Sequence, residues 1–195
     1  EREIFSLEEL IKEFSLERVG KAGAVFNVEK LNWINQQHIR RKTDKELAEM
    51  VKRILNQKGI TVSNEDYLLK TIALMKERVT LVQDFAEFGS YFFEEPKVFD
   101  EEGRRKHWEA ETSQRISALA DELETLKDFN HQTIETVVKT LAERLQVKTA
   151  KLIHPTRLAL SGRTVGPSLY EMMDLLGKET VVKRLRNAVQ TMVTV

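Results

Sequence analysis

Apolar residues recur at helical spacing along nearly all of this 195-residue chain, and no sustained alternation of apolar and polar residues interrupts them. This periodicity constrains the fold more than any other feature. A period near 3.6 buries one face of a helix, whereas a period of two buries one face of a strand. Leu47, Val51, Ile54 and Leu55 form one stripe, and Tyr67, Leu68, Ile72 and Met75 a second. Ile116, Leu119, Leu123 and Leu126 follow, then Ile134, Val137, Val138, Leu141 and Leu145, then Val181, Val182, Leu185 and Val189. Prolines stand only at 96, 155 and 167, so helices can run long. There is no Asn-Gly or Asp-Gly hairpin turn. The expected fold class is all-α.

Start and stop signals divide the pattern. Ser6 to Glu9 and Thr43 to Glu46 are capping boxes, in which hydroxyl and carboxylate satisfy each other's backbone N–H groups. The second opens a helix over 44–58, with Gly59 as its stop. Asn27 caps a helix carrying Leu31, Ile34 and His38 on one face, and Ser63 caps the helix holding Tyr67. Thr80 to Gln83 opens a helix that runs into Phe85, Phe88, Tyr91, Phe92 and Phe93, read as bundle core. Residues 152–160 are helical but for Pro155. Ser168 to Glu171 is a further capping box, and Gly177 closes its helix. Pro96 and the acidic run 100–102 mark a boundary. The expected architecture is two stacked helical bundles, 1–95 and 96–195, with no internal repeat.

Composition narrows the function. Thirty-one basic and thirty-one acidic side chains cancel, which rules out a uniformly basic nucleic-acid binder. The balance is uneven, however. Residues 93–147 hold thirteen acids and eight bases, whereas residues 148–195 hold three acids and eight bases. Basic groups beside a polyanion dominate its local field, so the last quarter is the part to suspect of touching phosphate. A surface fluctuation in a small helical subdomain is the alternative. The lack of cysteine excludes a disulfide scaffold, a thiolate zinc site and a cysteine nucleophile, and fits a reducing compartment. No apolar run approaches the ~20 residues of a membrane span. The chain opens on Glu1-Arg2-Glu3, with neither an initiator Met nor a signal peptide, and reads as the C-terminal part of something longer.

Catalytic signals are missing. There is no glycine-rich phosphate loop, no His-Glu-x-x-His and no Gly-x-Ser-x-Gly. His38, His107, His131 and His154 lie far apart without ligand spacing, so no metal site is expected. Paired acids such as Glu101-Glu102 and Asp121-Glu122 sit in charge-rich helices and read as solvated faces rather than as an acid/base pair. The residues alone describe a helical binding module with no catalytic group.

Two long stretches say more. One runs Phe14-Ser-Leu-Glu-Arg-Val-Gly-Lys-Ala-Gly-Ala-Val-Phe-Asn-Val-Glu-Lys-Leu-Asn-Trp-Ile-Asn-Gln-Gln-His-Ile-Arg40. The other runs His154-Pro-Thr-Arg-Leu-Ala-Leu-Ser-Gly-Arg-Thr-Val-Gly-Pro-Ser-Leu-Tyr-Glu-Met-Met-Asp-Leu-Leu-Gly-Lys178. Both resemble the C-terminal half of bacterial-type glutamyl-tRNA synthetase. The first is similar to the segment joining the catalytic half to the helical anticodon-binding half. The second is similar to the anticodon-contacting helix-loop-helix. The likeness extends through most of the chain, including Leu74–Arg78 and 177–189, and is weakest over 93–130. It implies an all-helical anticodon-binding region; the related glutaminyl enzymes use β-barrels instead. It further implies that ATP, Mg2+, glutamate and the tRNA acceptor end belong to an upstream Rossmann-type half. That half carries His-x-Gly-His-like and Lys-Met-Ser-Lys-Ser-like motifs, and neither is present here. The whole protein would then be a cytoplasmic, monomeric glutamate–tRNA ligase, and this part of it inactive alone. Its partner would be the anticodon stem-loop of glutamate tRNA. A non-enzymatic helical module that binds RNA or protein stands as the alternative.

The resemblance also assigns residues. Arg78 matches the arginine that reads the third anticodon letter. Glutamate codons require C there and glutamine codons G. A guanidinium offers only donors, which meet O2 and N3 of C but conflict with the N1 and N2 donors of G. Capping of carbonyls or an ion pair is the alternative for Arg78. Arg157 matches an arginine near the first anticodon letters. Gly166, Pro167, Ser168 and Leu169 form a loop entering a helix, whose small residues let backbone approach a base. The family usually has glycine where Ser168 stands. Arg163 is a candidate phosphate contact. A tight turn with no ligand is the alternative for this region. Arg40, Arg41 and Lys42 form a basic triplet able to hold phosphate, with a solvated helix end as the alternative. Trp33 can stack on a base or pack in the core.

Overall fold

The structure, a computed structural model, describes residues 2–20, 23 and 25–192; Lys21, Ala22 and Ala24 of the first family-like stretch lie outside the described residues. The described residues form eleven α-helices and three short 3-10 turns, and no strand occurs among them. The helices are α1 (Leu7–Glu13), α2 (Val28–Arg41), α3 (Asp44–Gln57), α4 (Glu65–Met75), α5 (Asp84–Glu87), α6 (Glu101–His107), α7 (Thr112–Thr125), α8 (His131–Arg144), α9 (Ala150–Ser161), α10 (Leu169–Leu176) and α11 (Lys178–Thr191). The all-α expectation therefore holds.

The capping boxes at Ser6 and Thr43 form as the sequence implies, and Asn27 caps α2. Three local features differ. Asn64, not Ser63, caps α4, because the Asn64 carboxamide reaches the Tyr67 N–H at 3.0 Å. The segment after Thr80 is not one long helix. The Asp84 carboxylate accepts from the Thr80 and Leu81 N–H groups, both at 2.8 Å, and the helix it starts ends at Glu87. Gly89 then lets the chain pass so close to the Phe85 carbonyl that a Cβ would sit 2.5 Å from it, and a 3-10 turn at Ser90–Phe92 follows. Ser168 precedes α10, but its side chain makes no capping bond. Pro155 stands inside α9, which continues through it. One backbone hydrogen bond is lost there, and burial of Leu152, Leu158 and Leu160 around it holds the helix together.

Packing follows the stripes. α3 packs on α4 and α5, while α7 packs on α8, α9 and α11, and α10 on α8 and α11. Contacts of α4 with α10, and of the 90–92 turn with α9, join these groups. The buried apolar residues make one cluster, from Ile39 and Leu47 through Phe85, Ile116 and Ile134 to Leu185 and Met192. Arg184 is buried among them, donating to the carbonyls of Tyr91 (2.7 Å), Leu160 (2.9 Å) and Glu94 (2.9 Å). It ties α11 to α9 and to the 90–94 segment. No helix of the described residues is long and apolar enough to cross a membrane.

Candidate nucleic-acid interface

The contact of α4 with α10 leaves an open groove of about 880 Å³ that runs along both helices. Arg78, on the 3-10 turn Lys76–Arg78 after α4, lines one wall with Lys70, Tyr67 and Glu77. Pro167, Ser168 and Glu171 line the other. Folding thus brings Arg78 and the 166–169 loop, ninety residues apart in the chain, to one cleft.

The segment carrying Arg78 is held on every side, whereas Arg78 itself is not. Asp84, only 6% exposed, bonds the N–H groups of Thr80 and Leu81 and the Thr80 hydroxyl (2.9 Å). Lys76 pairs with Asp44 at 3.0 Å and donates to the Lys42 carbonyl. Asn35 donates to the Thr80 carbonyl, and Gln36 to the carbonyls of Glu77 (3.4 Å) and Val79 (3.3 Å). Arg40 takes the Glu77 carboxylate at 2.8 Å and the Glu77 carbonyl at 3.2 Å. The exposed Arg78 guanidinium makes no hydrogen bond or ion pair with any described residue. Five donors in a planar fork stand open on a rigid base, as an edge-reading side chain requires.

Arg157 lies beside the loop that enters α10. Its Nη1 is buried with no hydrogen-bond partner, and a Cβ on Gly166 would lie 2.9 Å from that nitrogen. Burial pushes its pKa down, against the favourable field of Tyr91 and with the opposing charge of Arg78 adding to the depression. A buried guanidinium nitrogen without an acceptor is costly, so an acceptor supplied by a ligand would relieve it. Glycine at 166 lets the loop backbone pack closely against that nitrogen. The Tyr91 hydroxyl is also near this loop, 3.7 Å from where a Cβ on Gly166 would lie; burial drives its phenol pKa up, opposed by the charges of Arg157, Arg163 and Arg78. The sequence placed Tyr91 in the core, and it is buried, with its hydroxyl donating to the Met75 sulfur at 3.8 Å. Tyr67, also missed, donates its hydroxyl to the Phe92 carbonyl at 2.8 Å, and burial lifts its pKa to about 12. Apolar spacing signals only that such a ring faces inward, so neither tyrosine could be told from core by pattern.

Other expected site residues stand elsewhere. Arg163 donates to the Glu87 carbonyl at 2.7 Å and stacks its guanidinium 4.9 Å from the Phe88 ring centre. Leu169 is buried in the core, so its side chain anchors α10. Ser168, taking no part in capping, leaves its hydroxyl on the groove wall and the first turn of α10 without a side-chain acceptor. Trp33 is 42% exposed on α2 and does not line the groove. Arg41 is exposed, and Lys42 lies 4.0 Å from Glu46. His107 and His154, far apart in sequence, stack with ring centres 4.4 Å apart. Among the described residues no group of three His, Cys, Asp or Glu could hold a metal ion.

Such a scaffold suits the reading of nucleic acid: Arg78, unbonded to any described residue, lines an open groove with Lys70 and the acidic Asp66, Glu77, Glu171 and Asp174, and the unmet Arg157 Nη1 lies beside the loop that enters α10. The family described as the anticodon binding domain matches residues 46–189. The chain belongs to this family. Two glutamate–tRNA ligases resemble it closely. That of Chloroherpeton thalassium is 42% identical, over 97% of this chain and 39% of that protein. That of Pelodictyon phaeoclathratiforme is 43% identical, over 95% and 39%. A crystal structure of a glutamate tRNA ligase from Elizabethkingia meningosepticum, in complex with its amino acid, superposes with a TM-score of 0.85. It is 36% identical and is covered over 97% of this chain and 37% of that one. The chain thus spans about two fifths of the length of the relatives it matches.

Proposed function

We propose that this chain reads the anticodon of glutamate tRNA as the recognition part of a glutamate–tRNA ligase. One observation carries the reading: Arg78 has no hydrogen-bond or ion-pair partner among the described residues, yet stands on a braced segment, facing the loop that holds Pro167 and Ser168. Arg78 donates to O2 and N3 of the C that ends the anticodon. Arg157, with its unmet Nη1, donates to an earlier letter approached past Gly166, Pro167 and Ser168, with Leu169 holding the loop to α10. Arg163, Arg41 and Lys42 face backbone phosphate, and the half-exposed Trp33 offers a stacking surface. The bundles 1–95 and 96–195 act as the two walls, joined through α4 and α10.

On this reading the remaining three fifths of the protein carries ATP, Mg2+ and the ligation chemistry. None of the residues here is assigned to those groups, since no phosphate loop or carboxylate cluster is available for them among the described residues. The whole enzyme then works as a cytoplasmic monomer. The test is a titration of this chain with anticodon stem-loops ending in C or in G, beside an aminoacylation assay. Preference for C without formation of glutamyl-tRNA supports the proposal. Equal affinity for both RNAs, or turnover above background, sinks it.

A further inference from the structure

We infer that Arg40 is a positioning residue that keeps Arg78 available to the base by holding Glu77 away from it. The inference rests on the anticodon-reading role of Arg78 and adds how its specificity is maintained. Glu77 precedes Arg78 in the chain and lines the same groove. An unengaged carboxylate there would be a rival acceptor for the Arg78 guanidinium and a negative charge facing RNA. Arg40 removes the rival. Its Nε meets the Glu77 carboxylate at 2.8 Å, and its Nη2 donates to the Glu77 carbonyl at 3.2 Å. Gln36, one helical turn earlier on the same face of α2, donates to the Glu77 and Val79 carbonyls, and Asn35 to that of Thr80. α2 thus presents a row of donors to the backbone on which Arg78 stands, and only Arg40 also engages the carboxylate. A charge that could have served RNA phosphate is used inside the protein. The groove gains from this: with Arg40 engaged, Glu77 is paired and Arg78 remains without a partner among the described residues.

Loss of Arg40 should harm discrimination only while Glu77 is charged and Arg78 is present. The measurement is the affinity of this 195-residue chain for two anticodon stem-loops identical except for C or G at the third anticodon letter. Arg40→Gln should lower the C-over-G ratio about three- to tenfold, the scale of coupling between residues in contact. Adding Glu77→Gln to Arg40→Gln should restore the ratio, because the rival carboxylate is gone. In an Arg78→Gln background, Arg40→Gln should leave the ratio where Arg78→Gln put it. A uniform loss of affinity for both RNAs, unrelieved by Glu77→Gln, would make Arg40 a phosphate contact and overturn the inference. An unchanged ratio in Arg40→Gln, with a fallen ratio in Arg78→Gln, removes the positioning role and leaves the base contact standing. An unchanged ratio in Arg78→Gln removes both. Thermal melting of each variant separates these outcomes from unfolding.

Discussion

Arg78 and Arg157 differ in how they wait for a ligand. The first is exposed and unpartnered among the described residues; the second is half-buried, with one buried nitrogen unsatisfied. Arg78→Gln should lower the ratio of use of C-ending over G-ending tRNA about tenfold to hundredfold, because glutamine offers an acceptor as well as donors where arginine offers donors only. Aminoacylation efficiency of the full-length enzyme on both tRNAs measures it, and a constant ratio would leave Arg78 a surface residue. Arg157→Ala should weaken stem-loop binding by about 1–3 kcal/mol. Gly166→Ala should mimic it without touching the arginine, since the added methyl carbon would sit 2.9 Å from Nη1 and force the guanidinium aside. Calorimetric titration of both variants checks the pair; wild-type affinity in Gly166→Ala would show that Arg157 does not need its present place. Both arginines were legible in the sequence as candidates. Their freedom was not, because whether a guanidinium finds a partner depends on neighbours eighty or more residues away.

At the scale of elements, the short helix α5 matters for what its first residue does to the chain before it. Asp84 gathers three donors from Thr80 and Leu81 while almost wholly buried. Asp84→Ala should cost about 1–3 kcal/mol, as buried N–H groups lose their acceptor. The C-over-G ratio should fall with it, because the Arg78 segment loosens. Urea unfolding and the paired stem-loop titration report the two effects separately, and intact discrimination would mean that α2 alone braces the segment. α6 and α9 meet at the stacked His107 and His154. Burial, then the charge of His154, with Lys106 and Lys151 adding, holds the His107 pKa below its ordinary 6.5, and Asp100 opposes. The folded state therefore binds fewer protons than the unfolded state between that depressed value and 6.5. Stability is full above pH 6.5 and falls as the pH drops through this window. His107→Gln should flatten that part of the stability curve, as followed by thermal melts between pH 5 and 7.5. The capping boxes at Ser6 and Thr43 announced their helices because the partners lie three residues apart. The Ser168 pattern has the same letters and makes no cap: a pattern shows that a bond is possible, and the surrounding packing decides whether it forms.

The whole molecule is fastened by Arg184, whose three carbonyl partners belong to α9 and to the segment just before Pro96. Arg184→Met keeps the apolar stem but strands those carbonyls, and should cost about 2–4 kcal/mol in urea unfolding. A loss below 1 kcal/mol would mean that water replaces the guanidinium. The sequence by itself determined the helices, their inward faces and the family, since these rest on spacing within single segments and on long ordered motifs. Apolar period, caps and the absence of strand patterning act over three to seven residues and survive in any tertiary context that buries the same face. Only the tertiary structure decided which charges are spent within the protein and which remain for RNA. Arg40, Arg78, Arg157 and Arg163 are the same residue type in helix-rich sequence. One holds Glu77, one holds no partner among the described residues, one is half-buried with an unmet nitrogen and one lies on Phe88. The physical reason is reach: a helix sets the direction of a side chain, but a guanidinium several ångströms out finds its partner on whichever segment the fold brings beside it.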